Sequence, residues 1–221
     1  GAYPECARLL LEASAAVNQA DAEGSTPLYI ACQEGHLECV WLLLKFNAAV
    51  SNAAEEDGCA PMHITSHRGH LEISRLLLEA GAAVSQATEG GFSPLCIACQ
   101  EGHVGIARLL LKASAAVNHA KQDGATPLYM ACQKGHVACA RLLLEAGAAV
   151  GQATIDGCTP LVITCHRGHL DVARLLLKAG AAVNQAKDGG ATPLFIACQE
   201  DQLECARLLL KAGAAVNQAK Q

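Results

Sequence analysis

TPLYMACQKGHVACARLLLEAGAAV, residues 126–150, is the stretch on which the reading of this chain turns. Thr126 can accept a hydrogen bond from a free backbone N–H, and Pro127 is pre-set for a first helical position, so a helix opens here. Leu128, Ala131 and Cys132 give it a short apolar face, and Ala131 and Cys132 are small enough to let another helix approach closely. Gly135 ends this helix and His136 begins the turn into a second one. There Val137, Cys139, Ala140, Leu142, Leu143 and Leu144 form a broad apolar face, with Arg141 and Glu145 left for solvent. Gly147 stops the second helix, and Ala148-Ala149-Val150 leads towards turns of the Asp123-Gly124 kind. The unit is helix, tight turn, helix, projecting loop.

The unit recurs along the chain. Pro27, Pro61, Pro94, Pro127, Pro160 and Pro193 are separated by 34, 33, 33, 33 and 33 residues. The leucine triplets beginning at Leu9, Leu42, Leu76, Leu109, Leu142, Leu175 and Leu208 step by 33, 34, 33, 33, 33 and 33. A fixed step of this size marks a solenoid, in which each unit buries its apolar face against its neighbours. The extra residue between Val50 and Pro61, within NAAEEDGCA, belongs in a loop, because elsewhere it would rotate a helical face out of register. The expected organisation is a single array over 1–221. A half repeat at 1–24 precedes repeats at 25–57, 58–91, 92–124, 125–157, 158–190 and 191–221.

TPLYIACQEGHLECV, the stretch quoted above, and TPLVITCHRGHLDVARLLLKAGAAVN resemble the ankyrin repeat. The resemblance implies an all-α repeat fold: an ankyrin-repeat solenoid of stacked helix-turn-helix units with projecting β-turn or hairpin loops. Departures from the family pattern are systematic. The histidine of TPLH survives only as His63, and cysteine stands for the second alanine at positions 32, 99, 132, 165 and 198. The resemblance also implies that the GH histidines His36, His70, His103, His136 and His169 bond each turn to the neighbouring unit.

The same resemblance implies a non-enzymatic scaffold that grips a protein or peptide in a concave groove. Carried onto this chain, the loops supply Glu23, Asp57, Phe92, Asp123, Ile155, Asp156 and Asp188. The first helices supply Gln33, Glu34, His67, Arg68, Gln100, Glu101, Gln133, Lys134, His166, Arg167, Gln199 and Glu200. The loops lean acidic, which favours a partner with basic character. Phe92 and Ile155 are the apolar anchor candidates. A substrate-adaptor array of a ubiquitin ligase is the second reading, although the short helical box that recruits the ligase is absent from these residues. An engineered, consensus-like array is the third, and the idiosyncratic Trp41 and Phe46 weigh against it.

Composition narrows the classes. Net charge is −5 and no basic cluster occurs, which argues against nucleic acid as partner. No apolar run approaches the ~18 residues of a membrane span, so no membrane role is expected. Most of the twelve cysteines fall at positions that alternate with Ile, Val or small residues, so they read as reduced core thiols of an intracellular protein. Cys59 and Cys158, in loops, are expected nearer the surface. His67 with His70, and His166 with His169, lack a third ligand for zinc. No nucleophile–base order or phosphate loop recurs, so neither catalysis nor a cofactor is expected. Trp41, where other repeats carry Arg, and Phe46, where they carry Ala, form a candidate contact on the outer face. The terminal apolar faces also allow end-to-end self-association.

Overall fold

The computed structural model describes residues 4–51 and 58–217, and the lengthened loop between Val50 and Pro61 lies mostly outside them. Thirteen α-helices are described, with no strand among the described residues. The lone second helix α1 (Pro4–Glu12) is followed by six pairs: α2 (Pro27–Glu34) with α3 (Leu37–Lys45), α4 (Pro61–Arg68) with α5 (Leu71–Glu79), and α6 (Pro94–Glu101) with α7 (Val104–Lys112). The remaining pairs are α8 (Pro127–Lys134) with α9 (Val137–Glu145), α10 (Pro160–Arg167) with α11 (Leu170–Lys178), and α12 (Pro193–Gln199) with α13 (Leu203–Lys211).

The chain forms two compact units. One holds Gly1–Ala98 and Gly105–Ala115, the other Cys99–Val104 and Ala116–Gln221. In the first unit α2 packs on α4, while α3 packs between α1 and α5. In the second unit α10 lies between α8 and α12, and α11 between α9 and α13. Each unit is therefore two layers deep, first helices in one layer and second helices in the other. The core lies between the layers, where Leu28, Leu77, Leu110, Leu128, Leu143, Leu161, Leu176 and Leu209 are almost wholly buried.

The helix boundaries follow from local chemistry. The hydroxyls of Thr26, Thr126, Thr159 and Thr192 each accept the N–H of the residue three further on, and proline occupies the first helical turn. In α4 alanine stands at the cap, and His63 Nδ1 instead accepts the Ala60 N–H at 3.0 Å. Asn47 takes the left-handed conformation expected of it (φ 62°) at the position where Gly147 stops α9.

The turn between paired helices is a two-residue interlock. Gly135 closes α8 at φ 78°, and a Cβ there would meet the His169 ring at 2.7 Å. His169 Nε2–H in turn donates to the Gln133 carbonyl at 3.2 Å, in the last turn of α8, where carbonyls lack intrahelical partners. Gly35 with His70 and Gln33 repeats the arrangement in the first unit, and Gly102 with His136 and Gln100 repeats it in the second. The histidine of one repeat thus caps the first helix of the repeat before it.

A second tie joins the loops. The N–H groups of Ala49, Ala149 and Ala215 donate to Asn18, Asn118 and Asn184 Oδ1 at 2.8, 2.9 and 2.9 Å, each spanning 31 residues. The projecting loops are turns rather than strands. Each links to the next by a single backbone bond in the second unit, Ile155 N–H to Asp123 O (2.9 Å) and Asp188 N–H to Asp156 O (3.1 Å).

Two pairs of substitutions separate these contributions. Leu143 and Leu10 are the same residue of the repeat, yet Leu143 is wholly buried and Leu10 is 62% exposed. Leu143→Ala is expected to cost about 2–5 kcal/mol in chemical denaturation, and Leu10→Ala within about 0.5 kcal/mol. Gly147 shares a positive φ (85°) with Gly135, but open space surrounds the position of its Cβ. Gly147→Ala is expected to cost about 1 kcal/mol of backbone strain. Gly135→Ala should cost clearly more, because the His169 ring must move as well.

Candidate functional site

The first helices bring most of the expected contact residues to one type of position, the last turn. Glu34, Arg68, Glu101, Lys134 and Arg167 end α2, α4, α6, α8 and α10, and Glu200 caps α12. Positive charge at a helix C-terminus is favoured by the backbone dipole, and negative charge is not. The glutamates are accommodated by the residue before them. Gln33, Gln100 and Gln199 donate Nε2–H to Glu34, Glu101 and Glu200 at 3.3, 2.8 and 2.9 Å.

In the second unit Lys134 and Arg167 come together with Gln133 and His169 around a polar cleft of about 350 Å³. Both cations are exposed. Beside them His166 Nε2 lies 3.9 Å from Glu200 Oε1, while His166 Nδ1 is buried without a hydrogen-bond partner among the described residues. In the first unit His67 and Arg68 are exposed on α4, and Glu34 is exposed on α2.

The loop residues divide. Glu23, Ile155 and Asp188 are exposed, Ile155 to 78%. Two loop acids are partly committed to their own turns. Asp123 Oδ2 pairs with Lys121 Nζ at 2.9 Å and its Oδ1 accepts the Ala125 N–H at 2.9 Å. Burial pushes the Asp123 carboxyl up, but these bonds outweigh it and hold it below the ordinary carboxylate range. The Thr154 hydroxyl does the same for Asp156 by hydrogen bonding. Asp57 lies outside the described residues.

Phe92 differs from expectation. It is only partly exposed, with its ring against Gly90, and with Cys59, Thr88 and Ile97 it lines a shallow apolar cavity of about 320 Å³. Its role in holding the loop competes with any role as an anchor.

His63 shows what the loops gain from a buried imidazole. Its Nε2–H donates to the Gln86 carbonyl at 2.8 Å, tying α4 to the loop after α5. At the equivalent position Tyr129 reaches Cys158 Sγ at 3.7 Å from its hydroxyl. Cys158 is accordingly buried, contrary to its loop position in the sequence.

The thiols are not uniformly core. Cys6 and Cys198 are exposed and Cys39 is intermediate. Cys198 occupies the position that the next first helix covers in other repeats, and the described residues hold no first helix after α12. All twelve cysteines are free. Burial pushes the Cys32 and Cys132 thiols up to about 12, which leaves them without thiolate character at neutral pH. Among the described residues no group of three or more His, Cys, Asp or Glu could hold a metal ion, and no helix is long and apolar enough to cross a membrane.

Stacked helix pairs closed by a Gly-His turn and joined by asparagine-bridged loops define a helical repeat protein that presents loop and helix-end side chains. The sequence pattern described as Ankyrin repeats (3 copies) matches residues 1–88, 83–154 and 147–220, and the chain belongs to the ankyrin-repeat family. A 40-residue stretch is 55% identical to Ankyrin repeat domain-containing protein 63 of Homo sapiens, and 55% identical to the Mus musculus protein of that name. That stretch is 18% of this chain and 10% of each relative, so the chain spans about a tenth of the relatives it matches. Ankyrin repeats are generally non-catalytic modules that bind proteins.

The buried His63 yields a pH prediction. Burial first of all lowers its pKa from 6.5, so the folded chain disfavours the proton more than the unfolded chain does. The stability it protects is fully present above pH 6.5. It is lost as pH falls through that value towards the lower folded pKa, below which both states carry the proton. Between pH 7 and 5, urea midpoints should therefore fall less steeply for His63→Tyr, which installs the residue found at 29 and 129.

Proposed function

We propose that this chain is a non-enzymatic interaction module: a single array of six full repeats after an N-terminal half repeat, binding a protein or peptide partner. Binding runs through the loops and the C-terminal turns of the first helices. The observation that carries this reading is the clustering of Lys134 and Arg167 around one polar cleft, next to the His166–Glu200 pair. Neither cation has an ion pair among the described residues, so each offers a charge to a partner without first breaking an internal bond.

The exposed acids Glu23, Glu34 and Asp188 suit basic groups on the same partner. Ile155, at 78% exposure, is the apolar anchor this arrangement offers, and Phe92 supports its own loop. The free state of all twelve thiols supports an intracellular setting.

The test is capture from cell lysate with identification of the captured protein, followed by titration of that protein against the chain and a variant. The variant carries Arg68→Glu, Lys134→Glu and Arg167→Glu, all at exposed positions, with circular dichroism to confirm an unchanged fold. Affinity is expected to fall by at least about tenfold, the equivalent of ~1.4 kcal/mol. A captured partner bound equally well by the variant would remove these helix ends from the interface.

A further inference from the structure

We propose that the groove between α3 and α5, in the second-helix layer of the first unit, docks a peptide segment of another protein that presents lysine or arginine beside an apolar side chain. This surface is formed by second helices, not by the helix ends and loops to which the preceding proposal assigns binding.

The argument begins with one residue of the repeat. Where Trp41 stands in α3, the other second helices carry Arg8, Arg75, Arg108, Arg141, Arg174 and Arg207. Wherever an acid precedes that arginine by three residues, the two pair across one helical turn. The distances are 3.7 Å for Glu5–Arg8, 3.3 Å for Glu72–Arg75, 3.1 Å for Asp171–Arg174 and 2.9 Å for Glu204–Arg207. Glu38 holds the acid's place before Trp41, and an indole cannot neutralise it. Glu38 makes no ion pair or hydrogen bond among the described residues.

The substitution therefore does two things at one spot. It strips a carboxylate of its counter-ion, and it replaces a guanidinium with an indole on the wall of the adjoining groove. The groove has a volume of about 320 Å³ and is lined by Leu37, Glu38, Trp41, Glu72, Arg75 and Leu76. Leu37 and Trp41, one helical turn apart on α3, are 44% and 50% exposed. The corresponding groove between α9 and α11 is lined by Arg141, Arg174, Lys178 and Asp171 with two aliphatic residues, and its charge is of the opposite sign.

Charge balance selects the occupant. Arg75 is engaged by Glu72, and the Lys45 ammonium lies 5.1 Å from the centre of the Trp41 ring. Glu38 remains as the unbalanced charge, next to an indole that already attracts one cation. A basic side chain placed at Glu38, with an apolar neighbour against Leu37, Trp41 and Leu76, satisfies both features. An acidic segment would face Glu38 and Glu72 together.

A random dodecapeptide library selected against the whole immobilised chain tests this directly. Enriched peptides are expected to place Lys or Arg within a few residues of Leu, Ile, Met or Phe. Titration of these peptides should shift the emission of Trp41, the chain's single tryptophan. Glu38→Gln should weaken them at least about tenfold by the same signal. Trp41→Arg, which restores the residue carried by the other second helices and so keeps the fold, should weaken them likewise by calorimetry. The Arg68→Glu, Lys134→Glu, Arg167→Glu variant should leave their affinity unchanged.

The proposal is overturned if no peptide is enriched, if the enriched peptides are acidic or purely apolar, or if binding leaves Trp41 emission unmoved. Peptides that survive Glu38→Gln and Trp41→Arg but are lost on the triple variant would also overturn it. That result would place peptide binding at the first-helix ends and support the preceding proposal instead.

Discussion

A histidine ring pressed over the glycine of the preceding repeat, with its Nε2–H on that repeat's last helical turn, is the contact on which the stacking depends. A helix of seven or eight residues leaves about half of its backbone carbonyls without intrahelical partners. One of those carbonyls, from Gln33, Gln100 or Gln133, is satisfied only by the next repeat. The bond itself contributes about 0.5–1.5 kcal/mol. Its greater effect is geometric, because the ring fits only where the earlier residue has no Cβ. Glycine is thus required twice at this position, by the left-handed backbone and by the neighbour's side chain. In the last repeat the two residues change together. Asp201 takes the glycine's place at φ 53°, and Gln202, packed against Gly168, takes the histidine's.

Fixing the backbone in this way leaves two surfaces with different chemistry. The first-helix ends carry side chains of mixed charge whose polar contacts are short-range and local, so a partner can engage them without disturbing the stack. The second-helix face is dominated by arginine–acid pairs one turn apart, each exposed and individually weak. Against that background a single tryptophan is a large perturbation. It removes a cation, exposes an aromatic ring and leaves Glu38 unbalanced, all without altering the apolar face that α3 turns towards the core.

Much of the fold was legible in the sequence because the determinants are local and repeated. The Thr-Pro helix starts, the Gly-His turns and the apolar second leucine of each triplet, buried in every one but the first, all follow from residues within a few positions of one another. The asparagine bridges were not legible as bridges, because Asn118 and the Ala149 N–H it binds are 31 residues apart and alanine carries no signal of its own. Cys158 was misplaced for the same reason, since its cover comes from Tyr129 in the repeat before. The partial burial of Phe92 was not legible either, because the ring lies against Gly90, a residue without a side chain to signal the contact. Cys6 and Cys198 show the converse limit: a repeat position specifies burial only through contacts with a neighbouring repeat, and the described residues place none against these two.

The cysteines carry one further lesson. Cys99 contacts Cys139, and Cys165 contacts Cys205, so in each case the first helix of one repeat meets the second helix of the next, 40 residues later. Two small sulfur side chains share a space that must stay filled. A larger side chain at either cysteine would have to displace the other, so adjacent repeats are coupled through their packed volumes as well as through the Gly-His turns.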